Sequence, residues 1–285
     1  MEILTVGEKI KRLRNKKGLS LSKLGGEYAS KAHLSYIENN KASPNIELLK
    51  YIAEKLEVEL EYLLETELEQ AKGIIKLLIK EMEVEVRLEK IKEIQKKYSQ
   101  ISKLAKKYNL KESLGKTNYL TAKYYIKVKK YREALEYLEK SIYNWLKVDN
   151  NEGIIKVYIK EGNIYINQGL YEIALQKYRQ AYFQYESLDY KNLKLESDIL
   201  FNLSTCHHRM SENEKAINYA EKVCDIDRKL EDSSRYSESL VKQASIFIEG
   251  GNYIKAEELL DTANEMLKRK KNRKTLELKH ILKTI

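Results

Sequence analysis

Proline is nearly absent from this sequence, and glycine and cysteine are scarce. The 285 residues include one proline, Pro44, eleven glycines and two cysteines. Because proteins contain about 5% proline on average, this composition argues against β-sandwiches, collagen-like segments and proline-rich linkers, and favours one helix after another. Cys206 and Cys224 are too few for a disulfide framework, so they suit a reducing compartment.

Long apolar runs and a secretion signal are also missing. No stretch has the run of about 18 apolar residues that a membrane span needs, so neither export nor membrane insertion is expected. Hydrophobic residues make up 42% of the sequence, enough for a packed core rather than disorder. The net charge of +10 is small for this length and permits a nucleic-acid partner without requiring one.

The first 65 residues alternate short apolar periodicities with turn signals and predict five short helices. Gly18 follows a basic first helix, and Ser20 and Ser30 are placed to cap the second and third helices. Ser43-Pro44 is expected to open the fourth helix as its cap and first position. The apolar residues expected to complete this core are Ile46, Leu49, Ile52, Ala53, Leu56, Leu60, Leu63 and Leu64.

Over nearly sixty positions this segment resembles the Cro/CI-like helix-turn-helix domains. The residues that match the pattern of these domains are 7–14, 18–20, Leu24, 34–39, 43–44, 48–49, 52–53, Leu56 and Val58. The stretch from Leu24 to Glu38 is one residue shorter than the commonest form. Gly25-Gly26 stands where an alanine-led pair is usual, so the second helix is expected to be weaker by about 1 kcal/mol per glycine.

In such domains the third helix enters the major groove with its amino-terminal residues toward the bases. From Lys9 to Lys31 there are eight basic residues and one acidic residue. The whole segment from the first residue to Glu65 has eleven basic and ten acidic residues, so its positive charge is concentrated between Lys9 and Lys31. A solvated charged face is the alternative interpretation of these lysines. The resemblance places Lys31, Ala32, His33, Ser35 and Tyr36 at the bases, led by Lys31 and His33, and Ser20, Ser22, Asn39 and Lys41 at phosphates.

The rest of the chain repeats with a period near forty residues. Four alanines, Ala134, Ala174, Ala216 and Ala256, are separated by 40, 42 and 40 residues. Small residues recur twelve positions before them and rings nine positions before them, a pattern that resembles tetratricopeptide repeats. The third copy departs most from the pattern. The small residues are Ala122, Gly162, Ser204 and Ala244, and the rings are Tyr125, Tyr165, His207 and Phe247. Two further positions recur: Tyr131, Tyr171, Asn213 and Tyr253 lie three residues before the alanines, and Ser141, Ala181, Val223 and Ala263 lie seven residues after them.

The sequence therefore predicts an all-α protein in four segments. A five-helix head (residues 1–66) precedes a loosely periodic connecting helix with degenerate hairpins at 67–115. Four repeats at 116–267 form a right-handed α-solenoid, and 268–285 form a capping segment. The basic run at 268–274 is interpreted as solvated, with DNA contact as the alternative.

In tetratricopeptide arrays the first helix of each hairpin lines a concave surface, called here the groove. Asparagines there can pair with the backbone of an extended peptide, and lysines attract carboxylates. Ordinary polar helix residues are the alternative interpretation of the same positions. The predicted peptide-binding residues are Tyr119, Lys123, Lys160, Asn163, Asn167, Phe201, Asn202, Thr205, Arg209, Lys242 and Ser245, with Ile159, Ile166, Val241 and Ile248 as apolar neighbours.

A Cro/CI-like head followed by tetratricopeptide repeats resembles the peptide-pheromone regulators grouped as RRNPP, especially those of the PlcR and NprR type. The resemblance implies a cytoplasmic homodimer that binds a short imported signalling peptide and, through its heads, a palindromic double-stranded operator. It also implies quorum sensing. Asn163 and Asn202 stand at repeat positions where relatives hold the peptide backbone.

Two other functions remain open from the sequence. One is a constitutive helix-turn-helix repressor whose repeats serve dimerisation or recruit a protein. The other is a protein that acts on response-regulator partners, which the well-formed head argues against as its sole function.

An enzyme, a cofactor and a membrane partner are not expected. The sequence has no phosphate-binding glycine loop and no recognisable nucleophile setting. Cys206, His207 and His208 with Cys224 superficially suggest a metal site. Adjacent helical residues point about 100° apart and cannot converge on one ion, so no metal is expected.

Overall fold

A computed structural model describes residues 2–230 and 233–266, with the side chains of 233–235 and 266 excepted. The predicted capping segment at 268–285, with its basic run, lies outside the described residues. Within the described ranges every regular element is a helix, so the predicted all-α class is confirmed. The helices are α1 (Val6–Lys16), α2 (Leu21–Gly25), α3 (Lys31–Glu38), α4 (Ile46–Leu56), α5 (Leu60–Leu64), α6 (Glu67–Arg87), α7 (Ile91–Lys107), α8 (Lys111–Lys127), α9 (Tyr131–Leu146), α10 (Asn151–Asn167), α11 (Tyr171–Glu186), α12 (Leu193–Arg209), α13 (Asn213–Lys229), α14 (Ser233–Glu249) and α15 (Tyr253–Met266).

The chain forms two compact units, Met1–Leu114 and Gly115–Ile285. In the first unit α1–α5 enclose an apolar core in which Ile10, Leu24, Leu34 and Ile52 are fully buried. The second unit consists of consecutive helical hairpins, whose buried cores contain both small side chains such as Ala174 and large ones such as Tyr178.

The fourth helix begins later than the sequence predicts. Asn45 is its cap, because Oδ1 of Asn45 accepts a hydrogen bond of 2.8 Å from the backbone N–H of Leu48. The prediction of Ser43-Pro44 as cap and first position is therefore wrong. Asparagine caps helices as well as serine does, and Pro44 lies in the segment before the helix. The later start leaves Ile46 at the first helical position, 48% exposed rather than buried.

Gly26 ends α2 instead of weakening its interior. It follows the last helical residue and has φ +51° and ψ −129°, a conformation that favours glycine. A Cβ on Gly26 would overlap the hydroxyl of Tyr51, and a Cβ on Gly25 would lie 3.0 Å from Cδ1 of Leu34. The expected loss relative to alanine is therefore wrong for Gly26, where alanine would be the poorer residue.

The repeat alanines lie where the helices of each hairpin meet. Ala134, Ala174, Ala216 and Ala256 are all fully buried, which confirms the repeat register. In the third hairpin, Ser204 replaces the usual small apolar residue and its hydroxyl donates a hydrogen bond of 2.8 Å to the carbonyl of Ala216. This bond satisfies the buried hydroxyl, so the departure from the pattern preserves the packing.

The turns between helices repeat more regularly than the sequence suggested. Left-handed residues occur at positions 89, 109, 129, 149 and 169, at intervals of twenty. The hairpin α6–α7 therefore has the same turn register as the later hairpins, although its sequence is only loosely periodic. Forty residues before Ala122, Ala134 and Ser141 stand larger residues, all of them buried, which obscured the pattern: Met82, Ile94 and Ile101.

Candidate functional site

The amino-terminal turn of α3 presents a continuous exposed surface. The hydroxyl of Ser30 accepts a hydrogen bond of 3.1 Å from the N–H of His33 and so fixes the start of the helix. Leu34 and Ile37 on the opposite face are buried in the head. This packing leaves Ser35 half-buried and exposes the other predicted base-contacting residues, Lys31, Ala32, His33 and Tyr36.

The predicted phosphate-contacting residues lie exposed at the ends of α2 and α3. Ser22 and Lys41 are exposed. Ser20 is exposed too, but its hydroxyl caps α2 by accepting a hydrogen bond of 3.2 Å from the N–H of Lys23. The side-chain amide of Asn39 donates a bond of 2.8 Å to the carbonyl of Ser35. Two of the four residues therefore also hold the backbone in place.

Part of the basic charge of the head is used internally. Nζ of the buried Lys9 donates hydrogen bonds of 2.6 and 2.7 Å to the carbonyls of Tyr62 and Glu65, and burial lowers the pKa of Lys9. Arg14 is paired with the buried Glu38 through bonds of 2.6 and 2.9 Å. The charge count from Lys9 to Lys31 therefore overstates the charge that the head presents to solvent.

Predicted groove residues on α8 and α10 interact electrostatically with one another and with Asp198 of α12. Burial raises the pKa of Tyr119 to about 12, and the negative charge of Asp198 adds to the shift. The pKa of Lys160 is lowered, first by burial and then by the positive charge of Lys123, while Asp198 acts in the opposite direction. Asp198, which sequence reasoning missed, therefore acts electrostatically on two of the predicted groove residues, Tyr119 and Lys160.

The two asparagines inferred from the family already have partners within the protein. Oδ1 of Asn163 accepts a hydrogen bond of 2.7 Å from the hydroxyl of Tyr178. Nδ2 of Asn202 donates one of 2.6 Å to the carbonyl of Asp198. A side-chain amide has two donor hydrogens and two acceptor lone pairs, so each asparagine keeps hydrogen-bonding capacity for a ligand. Asn167 is exposed.

The remaining predicted groove residues belong to α12 and α14. The hydroxyls of Thr205 and Ser245 bond carbonyls of their own helices at 3.0 and 3.1 Å. The ammonium of Lys242 lies 3.7 Å from the ring centre of Phe201, a cation–π contact between the two helices, and Arg209 is exposed.

Two of the apolar neighbours predicted for the groove lie in the core instead. Ile159 and Val241 are 7% and 2% exposed, because they face the second helices of their hairpins. Ile166 and Ile248 are half-buried.

The two histidines near the end of α12 have separate partners. The ring of His207 stacks on that of Tyr219 with centres 5.5 Å apart, and its Nδ1 lies 2.5 Å from Glu212. His208 pairs with Glu249 at 2.6 Å. In the described part of the chain no group of three or more histidine, cysteine, aspartate or glutamate residues could hold a metal ion. No helix there is long and apolar enough to cross a membrane.

Residues 10–63 match the family of helix-turn-helix domains. The head is a helix-turn-helix domain. Its α2 and α3 are the helices on either side of the turn, and the exposed amino-terminal residues of α3 occupy the position of a recognition helix. Residues 197–230 match a tetratricopeptide repeat. That match covers α12 and α13, the hairpin whose sequence departs most from the repeat pattern. No curated protein matches the chain.

Solved structures share the fold of this chain at low sequence identity. PlcR of Bacillus thuringiensis, solved with the peptide PapR7 and DNA, is 18% identical over 98% of both chains, with a TM-score of 0.56. The apo form of RapI is 14% identical over 97% of this chain and 71% of that one, with a TM-score of 0.58. BtubC of P. vanneervenii is 15% identical over 90% of both, with a TM-score of 0.55. The architecture expected from the RRNPP resemblance is confirmed at the level of fold.

Proposed function

We propose that this protein is a transcription regulator that binds operator DNA through its head and a short signalling peptide in its groove. The observation that carries the proposal is that one chain combines a helix-turn-helix domain whose third helix is exposed with polar side chains on successive repeat helices. PlcR, which has the same architecture over 98% of its chain, was solved with both a peptide and DNA. We further propose that the protein acts as a cytoplasmic homodimer in quorum sensing.

For DNA binding, the support comes from the side chains of α3. Lys31 and His33 stand exposed in its first turn and carry donors that suit acceptors on base edges. The capping bond from Ser30 and the buried Leu34 hold that turn rigidly on the head. Two such heads in a homodimer would read the two halves of a palindrome.

For peptide binding, the support comes from the mixed chemistry of the groove. Asn163 and Asn202 offer amide groups to a peptide backbone, and Lys160 offers a charge. Phe201 offers an apolar contact. Peptide binding would favour one arrangement of the protein over another and so change its affinity for the operator.

One experiment tests both halves of the proposal. Operator sites are first selected from random double-stranded DNA with the full-length protein, and their affinity is then measured with and without synthetic peptides from small exported precursors encoded nearby. We expect a palindromic site and a change in its affinity of about 5-fold or more with the correct peptide. Failure to enrich any sequence contradicts the DNA half. An operator affinity that no peptide changes, with no peptide binding below millimolar concentration, contradicts the sensing half.

A constitutive repressor whose repeats bind a protein is the second candidate. It is favoured by two exposed aromatic residues, Tyr143 and Phe183, which are 61% and 74% exposed and stand nine positions after the repeat alanines of α9 and α11. The double change Asn163→Ala with Asn202→Ala separates the candidates. Only the peptide proposal expects a lost response in a protein that still folds and still binds the operator.

A further inference from the structure

Gly73 lies in the interior of α6, where glycine weakens a helix relative to alanine. Other glycines inside helices make room for a neighbouring group: a Cβ on Gly115 or Gly153 would overlap the ring of Trp145. Gly73, by contrast, is exposed, and a Cβ on it would meet no described residue within 4 Å. The described part of the chain therefore makes no use of the missing side chain, whereas a helix from a second molecule can approach closely at this point.

An exposed apolar stripe runs along the same side of α6. It consists of Leu77, Val84 and, at the end of the helix, Leu88, all of them exposed. Because successive helical residues are 100° apart, these three residues and Gly73 lie within about 60° of one another around the helix axis. The buried residues of α6 lie on the opposite side and are Ala71, Ile75, Met82 and Val86. The stripe is thus free to pack against a second helix.

The two sides of this stripe carry opposite charges near its middle. Lys76 and Lys80 lie on one side, and Glu81 and Glu85 lie on the other, all within about 90° of the stripe. Glu81 also lies 2.8 Å from Lys97. Its side chain is nevertheless 44% exposed, and a carboxylate accepts more than one hydrogen bond, so it can pair with a further cation.

This arrangement of charge favours one direction of pairing between two copies of α6. In a parallel pair related by a two-fold axis, the basic side of each helix meets the acidic side of the other, so that Lys80 lies beside Glu81 of the second copy. In an antiparallel pair each side meets its own copy, which brings Lys80 against Lys80. Like charges that meet across an interface disfavour it, so the charges select the parallel pair.

We propose that Gly73, Leu77, Val84 and Leu88 form an interface between two copies of this chain, in which the α6 helices pack in parallel around a two-fold axis. This inference rests on the homodimer of the proposed function and assigns a surface to it. Gly73 meets its own copy and allows the helices to approach closely there. Because α6 directly follows the head in the chain, parallel pairing places both heads at the same end of the pair, as a palindromic operator requires.

Disulfide trapping in the full-length protein tests both the contact and its direction. Leu77→Cys and Val84→Cys should each give a disulfide-linked dimer under mild oxidation, because parallel pairing brings each residue to its own copy. Leu68→Cys is the matched control. Leu68 is 39% exposed and Leu77 is 41% exposed, but the nine residues between them place Leu68 on the opposite side of α6. The native Cys206 and Cys224 are buried and should not react.

Analytical ultracentrifugation of the full-length protein measures the strength of the pair. Leu77→Glu places two like charges in the interface and should weaken dimerisation about 100-fold or more, whereas Leu68→Glu should leave it unchanged. Gly73→Ala should weaken dimerisation about 10-fold, because two added methyl groups separate the helices. The melting temperature of the monomeric Gly73→Ala protein, followed by circular dichroism, should not fall, because alanine is the better helix former.

The possible results separate this interface from the homodimer on which it rests. A dimer that survives Leu77→Glu unchanged, or Leu68→Cys protein that is linked as readily as Leu77→Cys protein, overturns the α6 interface and leaves the homodimer intact. Linkage that forms only when Leu77→Cys and Val84→Cys proteins are mixed overturns the parallel arrangement. A wild-type protein that stays monomeric with and without the selected operator overturns the interface together with the proposed homodimer.

Discussion

The hydroxyl of Tyr178 lies 2.7 Å from Oδ1 of Asn163 and donates a hydrogen bond to it. Tyr178 is 1% exposed, whereas Asn163 is a predicted ligand of the peptide backbone, so this bond connects the core of the hairpin α10–α11 to the groove. Gly162 permits the contact, because a Cβ there would overlap the ring of Tyr178. The repeat's preference for a small residue at this position thus also serves to orient a groove side chain.

Tyr178→Phe should therefore affect both stability and binding. It removes one hydrogen bond, and we expect a loss of about 1 kcal/mol in the free energy of unfolding, measured by urea denaturation. Peptide affinity should also fall, because Asn163 loses the contact that fixes its amide. The double variant with Asn163→Ala should show that the two effects are not additive. Unchanged peptide affinity in Tyr178→Phe would show that Asn163 does not depend on this bond.

The cap of α4 can be tested with two neighbouring alanine substitutions. Asn45→Ala removes the bond of 2.8 Å to the N–H of Leu48, and we expect it to cost about 1 kcal/mol of stability. Ser43→Ala is the matched control and should change stability by less than about 0.5 kcal/mol, since Ser43 is exposed and does not cap the helix. Chemical denaturation measures both. A larger loss of stability for Ser43→Ala than for Asn45→Ala would show that Ser43 is the cap.

Gly26 and Gly18 both have a backbone conformation that favours glycine but differ in the space around them. Both have positive φ, +51° and +65°, but a Cβ on Gly18 meets nothing within 4 Å, whereas one on Gly26 meets Tyr51. Gly18→Ala should cost about 1 kcal/mol for the conformation alone. Gly26→Ala should cost more, and combining it with Tyr51→Phe should recover part of the difference. Equal costs at the two positions would mean that the overlap is relieved without a penalty.

Features that depend on residues close together in the sequence could be predicted from it. The periodic alanines, such as Ala134 and Ala174, gave the hairpins and their register, and Ser30 gave the start of α3. Patterns of this kind repeat at fixed spacing, because helix geometry sets which positions meet. The cap of α4 was placed wrongly because Ser43 and Asn45 are equally good caps two residues apart.

Features that depend on contacts between distant segments could not be predicted. Arg14 and Glu38 are 24 residues apart, and nothing periodic links them, so Arg14 was counted with the surface charge. The influence of Asp198 on Tyr119 and Lys160 could not be predicted either, because the three residues belong to three different helices. The register of α6–α7 was obscured because residues such as Met82 occupy positions that are small in the other hairpins.

The pair Arg14–Glu38 should stabilise the head rather than contact DNA. Arg14 and Glu38 are 13% and 4% exposed, and Arg14 also donates a bond of 2.8 Å to the carbonyl of Leu19. Glu38→Gln leaves the guanidinium buried without its counter-charge, and we expect a loss of about 3–5 kcal/mol. Hydrogen exchange of the α1 and α3 amides measures it. The double variant Arg14→Met with Glu38→Leu should recover much of the loss, and a recovery of none would point to a specific need for charge there.

Lys31 and Lys41 should have different effects on operator binding. Lys31→Ala should cost about 1–3 kcal/mol of specific affinity and relax the preference at one base position, because we propose that its side chain contacts base edges. Lys41→Ala should weaken all sequences alike and reduce the salt dependence by about one charge, as expected for a phosphate contact. Fluorescence anisotropy on the selected operator and on single-base variants, over a range of salt concentrations, distinguishes the two. Lys50→Ala, an exposed change on α4, is the control and should alter neither quantity. If Lys31→Ala weakens every sequence equally, Lys31 contacts phosphate, and the base contacts must come from other residues of α3.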